Sequence, residues 1–244
     1  MKNTIHRMET YYAGAYWGPR RESPEDCARR AEFFLAEMSN VDPAFSRWFE
    51  QGRSRKDALK RPIVPTRTVL EKLIRKGRDR QFEDLGCAVW AWNGGADYED
   101  SGLNFRCGAY SDVATNVCVC NLPTRGADSE RVLSAPVLSG LVRGMAVAWE
   151  PDWAVAMSHT HRDVVKPAQP EPGPYVAWIT YLARHRGAFP PLPAPVRVEP
   201  VEDKGTLIVL TPERFTADNP AHVELAWRVR ERLEEAGLLK PIPR

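Results

Sequence analysis

Long apolar runs are missing from this chain: no window in its 244 residues approaches eighteen uninterrupted apolar side chains, so no membrane-spanning helix is expected. Residues 1–7 carry no apolar signal segment. Cysteine is scarce and odd in number. The five thiols, Cys27, Cys87, Cys107, Cys118 and Cys120, mostly sit inside apolar runs. That argues against a disulfide framework and for reduced core thiols in a cytoplasmic protein. Neither charge is in excess, since 34 Lys and Arg oppose 32 Asp and Glu for a net +2; no overall field calls for nucleic acid or a membrane. Signatures of chemistry are absent as well. There is no Gly-x-Ser-x-Gly elbow, Walker loop, His-Glu-x-x-His or dinucleotide fingerprint, and no internal repeat. No cofactor is expected.

What is present is an ordinary globular balance, 43% hydrophobic and 27% charged, enough to fill the core of a single domain over residues 1–244. The charge is unevenly placed. Residues 53–80 hold eleven Lys and Arg against three Asp and Glu, which leaves −6 on the rest of the chain.

The clearest structural stretch is residues 205–239. Residues 206–211 form a short continuous apolar run, as in a strand covered on both faces. Asn219 then offers an N-cap, with Pro220 at the first helical position, where its missing N–H costs nothing. Leu225, Ala226, Val229, Leu233 and Ala236 make one helical stripe, and Gly237 ends it. Toward the N-terminus, residues 11–17 read as an aromatic strand. Ser23-Pro24-Glu25-Asp26 opens a helix whose buried face carries Cys27, Ala31, Phe34, Leu35 and Met38. Residues 41–49 suit a short helix or turn, and 51–65 an exposed loop. A second helix follows Thr66 and ends at Gly77.

Strands are expected at 86–92, 103–107 and 116–122, linked by turn residues into an antiparallel meander. A buried helix is expected over 132–148, a strand at 153–157, a proline-rich loop at 164–174, and strands at 175–181 and 196–201. The turn 202–205 pairs this last strand with 206–211 as a hairpin. Strands in runs between few helices indicate an α+β fold: one mixed, largely antiparallel sheet with helices packed on it.

Four groups of residues could carry function. Cys118 and Cys120 share a strand face and could be paired with His159 and His161 as zinc ligands, but a Val-rich strand suits core thiols better. His159, His161 and Asp163 follow a strand and could serve a hydrolase; the plainer reading is imidazoles at a strand end. The basic residues 53–80 could track phosphates, yet they lack interleaved aromatics and suit a solvated surface. Trp90 and Trp92 share one strand face, with Asp97, Glu99 and Asp100 at the strand's end and Asp112 in what reads as a neighbouring turn. Either the tryptophans lie under a helix, or they anchor a partner whose basic surface the acids steer. The turn Gly18-Pro19-Arg20 with Glu22 is a further candidate surface, or else Arg20 and Glu22 form a structural pair.

Several segments together resemble a known family. They are residues 11–20 with Glu22, Cys27-Ala28-Arg29-Arg30-Ala31, Asp42-Pro43 followed by Trp48-Phe49, Gly173-Pro174-Tyr175, residues 178–182, residues 205–211, and the final helix from Pro220-Ala221-His222 to Gly237-Leu238-Leu239. In these the chain is similar to the immunity protein 52 family of bacterial polymorphic toxin systems. The resemblance implies a small cytoplasmic α+β protein, without catalysis of its own, that binds and neutralises a cognate toxin in a setting such as type VI secretion. The toxin it implies is a restriction-endonuclease-like nuclease. A nuclease that grips phosphate presents a basic surface, which the −6 outside the basic loop would complement. The contacts expected on this reading are Trp90, Trp92, Asp97, Glu99, Asp100 and Asp112.

Overall fold

The computed structural model describes residues 8–166 and 173–242. In chain order the elements are β1 (Tyr11–Trp17), α1 (Pro24–Val41), β2 (Trp48–Glu50), α2 (Arg55–Ala58), β3 (Pro62–Ile63) and α3 (Arg67–Lys76). Then come β4 (Cys87–Trp92), β5 (Gly102–Cys107), β6 (Asn116–Asn121), α4 (Gly126–Val132), α5 (Ala135–Trp149), β7 (Trp153–Ser158) and α6 (His159–Val165). The last are β8 (Ile179–Ala183), β9 (Arg197–Val201), β10 (Gly205–Val209) and α7 (Pro220–Glu235). The strands form one sheet in the order β3-β2-β4-β5-β6-β1-β7-β8-β10-β9. The fold is α+β, and every pairing between the named strands is antiparallel.

Local chemistry explains the boundaries. Ser23 caps α1 by accepting from Asp26 N at 3.1 Å, and Asn219 caps α7 by accepting from Ala221 N at 3.0 Å, each with proline in the first turn. Gly237 takes the left-handed conformation, φ 72°, that ends the last helix. The expected hairpin of β9 and β10 forms, with Val201 opposite Gly205, so Gly205 opens β10 rather than closing the turn.

Several boundaries differ from the expectations. The buried helix expected over 132–148 is α5, which starts behind Ser134 and so has Pro136 harmlessly in its first turn, while Val132 ends a separate short helix, α4. Residues 41–49 give a single 3-10 turn, Pro43–Phe45, followed by β2. The basic loop is mostly exposed but contains α2 and the edge strand β3. The strand sought at 175–181 begins only at Ile179. Before it, Ala177 N donates to Thr180 Oγ1 (2.9 Å) and Trp178 Nε1 to Thr211 O (2.9 Å), and one backbone bond, from Leu210 N to Trp178 O (3.0 Å), links the segment to the end of β10. Most of the proline-rich loop expected at 164–174 lies outside the described residues, as do residues 1–7, where no signal segment is expected.

Alternation along the strands gives the sheet two faces. On the inner face α5 packs against β1, β7, β8 and β10, while α1 lies against both α3 and α5, and α3 against β4. Trp149 at the end of α5 is the hub of that layer. It stacks on Trp17 (5.5 Å, 20°) and meets Phe34 and Phe105. Strands β7 and β8 are buried throughout and β10 nearly so, whereas β4, β5 and β6 alternate between buried and solvent-facing residues. One half of the outer face is therefore open. Among the described residues no single helix is long and apolar enough to cross a membrane.

Candidate functional site

The open half of the sheet carries the tryptophans. On β4, Cys87, Val89 and Ala91 point inward and are buried, while Trp90 stands 52% exposed on the outer face. Neither Trp90 nor Trp92 faces the helical layer. Trp92, half-buried, donates from Nε1 to Asp100 Oδ2 (3.2 Å); its ring lies 6.2 Å from Phe49 and beneath the guanidinium of Arg55. The turn that follows is held by Asn93, whose Oδ1 accepts from Gly95 N (3.1 Å) and Ser101 N (2.9 Å) and whose Nδ2 donates to Ala44 O. It projects Asp97, Tyr98 and Glu99 into solvent. Among the described residues none of Asp97, Glu99 and Asp100 makes an ion pair.

Asp112 does not join them. The β4–β5 turn and the β5–β6 turn lie at opposite ends of β5, separated by the length of a six-residue strand, about 20 Å. Asp112 belongs instead to a groove of about 1110 Å³ over β1, β6 and β7. Its floor is Tyr12, Tyr16, Val117 and Trp153, with Tyr16 stacked on Trp153 (4.2 Å, 21°) and Trp153 edge-on to Tyr175 (5.9 Å, 74°). Arg162 comes from the middle of α6 and Lys166 from just past its end, and Asp112 and Val113 from the β5–β6 loop. Burial pushes the Tyr16 phenol up to about 12, so it stays a neutral hydroxyl at ordinary pH. The floor residues fall in the expected strands 11–17, 116–122 and 153–157, whose composition gives no sign of a groove. The alternation of Tyr12, Gly14 and Tyr16 against Ala13, Ala15 and Trp17 separates two faces of β1, but the central place of β1 in the sheet comes only from its pairing with β6 and β7.

The other candidates have structural roles. His161 is wholly buried in α6, with Nε2 3.2 Å from Val176 O and its ring edge-on to Phe215. Burial lowers its pKa, so the imidazole is neutral. His159 packs on Tyr12, and Asp163 pairs with Arg162 in solvent; the three do not converge on one cavity. All five cysteines are free and buried, Cys118 and Cys120 on the inner face of β6. Among the described residues no cluster of three or more His, Cys, Asp or Glu could hold a metal ion. In the basic segment, Arg61, Arg67, Arg75, Lys76 and Arg78 are spent on ion pairs with Asp57, Glu32, Glu71, Glu50 and Glu83.

Arg20 and Glu22 do form the structural pair, at 3.0 Å. Arg20 also donates to Trp149 O (2.8 Å) and Arg30 to Ala148 O (2.9 Å). Two guanidinium groups thus satisfy the last carbonyls of α5 and oppose its negative end.

An exposed tryptophan, unpaired acids and an aromatic groove on an open sheet face are features of a protein-binding surface. The sequence model of immunity protein 52 matches residues 9–242, and the chain belongs to that family: it is an immunity protein. No curated protein matches it in sequence. Among solved structures it is similar to the Pseudomonas aeruginosa T6SS protein PA0821, with a TM-score of 0.56 over 92% of this chain and 73% of the other at 14% identity, a likeness of fold.

Proposed function

We propose that this immunity protein neutralises its cognate toxin by occlusion, using the open outer face of β4–β6 as the binding surface and carrying out no reaction itself. The observation that carries the reading is Trp90, a large apolar side chain left 52% exposed on a rigid strand beside acids that have no intramolecular ion pair among the described residues. Such a side chain is a natural interface anchor, and unpaired acids raise the rate of encounter with a basic partner. Trp90, Trp92, Asp97, Glu99 and Asp100 form one contact cluster on this reading, and Asp112 belongs to a second.

The basic partner is a nuclease of the restriction-endonuclease-like kind, delivered by a type VI secretion system. Its phosphate-gripping surface suits the acidic turn, and the fold shared with a T6SS protein supports the setting. The protein acts in the cytoplasm of the cell it protects. The test is co-expression with the toxin encoded beside it. Cells survive with the wild-type chain, and DNA stays intact; survival equal with and without the chain ends the proposal, and protection from a toxin that leaves DNA untouched removes the nuclease assignment.

A further inference from the structure

The groove over β1, β6 and β7 is not needed to explain the Trp90 surface, yet it continues it. Val117 lies beside Arg106 of β5 on one side and Tyr16 of β1 on the other, so the outer face runs unbroken from Trp90 to the groove floor. Three strand spacings separate β4 from β1, about 15 Å, within the span of one standard interface. Resting on the toxin-binding reading above, we infer that the groove takes a segment of the same toxin. That segment sets an apolar or aromatic anchor on Tyr16 and Tyr175, a carboxylate at Arg162 and Lys166, and a basic side chain at Asp112.

Three observations lead there. The floor is already organised. Tyr16 lies back along its own strand because residue 14 is glycine, where a Cβ would fall 2.7 Å from the Tyr16 hydroxyl, and it is held there by Trp153. Rigid aromatics lose little entropy when a partner arrives. The rim carries charges of both signs. Lys166 and Asp112 have no ion pair among the described residues, and Arg162 is held only by the exposed Asp163 at 3.2 Å and by the face of Tyr12. A small anion would leave Asp112 repelling it, and a small cation would meet Lys166; a polypeptide segment can answer both signs and be oriented by them. Val113 is 88% exposed at the rim, a bare apolar side chain on the loop that carries Asp112.

Val113 and Lys166 are exposed, so Val113→Asp and Lys166→Glu leave the fold alone. Calorimetric titration of the adjacent-gene toxin into each purified full-length variant should show affinity lowered about tenfold or more, with melting temperature within about 2 °C of wild type. A photo-crosslinking residue at position 113 should join the toxin, at a peptide that pairs an apolar residue with a nearby Asp or Glu. If both variants bind within about twofold of wild type and position 113 yields no cross-link, while Trp90→Ala still weakens binding, the groove inference fails and the toxin-binding reading stands. If the wild-type chain does not bind the toxin, both fall.

Discussion

Asp42 shows how single side chains hold this molecule together. Its carboxylate is 3% exposed, caps the Pro43–Phe45 turn through Ala44 N (2.8 Å), and meets Arg131 through two hydrogen bonds of 2.6 and 2.8 Å. Burial opposes its charge, but the bonds from Arg131 and Ala44 outweigh it and hold its pKa below the ordinary carboxylate value. The stability it contributes is therefore present above the unfolded-state pKa near 3.8 and lost as pH falls through the lower native value. Arg131→Ala strips that carboxylate of its partner. Because Arg131 is itself 44% exposed, the expected loss is about 1–3 kcal/mol, less than for a fully buried pair, read from urea unfolding at neutral pH.

His161 works in the opposite sense. Held neutral by burial, it disfavours protonation in the native state, so stability falls as pH drops below the ordinary value of 6.5. His161→Phe should flatten part of the decline in denaturation midpoint measured from about pH 8 to about pH 5. The buried thiols give a simpler reading: a disulfide-exchange reagent should find none of the five in the native protein and all five in denaturant.

At the scale of elements, α5 and the β4–β5 turn do different work. α5 supplies Trp149, whose stack on Trp17 joins helix to sheet and whose carbonyl Arg20 caps. Trp149→Ala should cost about 3–5 kcal/mol in unfolding free energy. The turn supplies charge without core. Glu99→Lys should leave that free energy nearly unchanged and slow association with the toxin severalfold, more at low salt than at high; an unchanged on-rate would remove the acids from the encounter. Where local chemistry decides an element, the sequence was legible: Ser23 with Pro24, Asn219 with Pro220, and Gly237 all mark real ends. Where tertiary contacts decide, it was not. Residues 175–178 have strand composition, but Ala177 N turns to the Thr180 hydroxyl and the strand starts only at Ile179. The separation of Asp112 from Asp97 was within reach, since successive turns of a meander fall at alternate ends. The groove was not, because it depends on β1, first in the chain, lying between β6 and β7.

The whole molecule divides its sheet into a packed part and an open part. The inner face and the β7–β8–β10 half are packed; the outer face of β4–β6 and the adjoining groove are left open. The chain belongs to the immunity protein 52 family, and on the proposed reading that open face is where the toxin binds. Of the eleven Lys and Arg in residues 53–80, the awkward part of the charge distribution, five are held in ion pairs among the described residues, and the segment keeps a basic, mostly exposed surface. The proposed inhibitor surface combines one exposed aromatic side chain, Trp90, with the acids of the β4–β5 turn. The most direct measurement is a calorimetric titration of the adjacent-gene toxin into wild-type protein and Trp90→Ala, with melting curves for both. The account predicts tight binding by wild type and a loss of about 2 kcal/mol or more in Trp90→Ala at unchanged melting temperature. No heat of binding to wild type, or equal affinity for the two proteins, would contradict it.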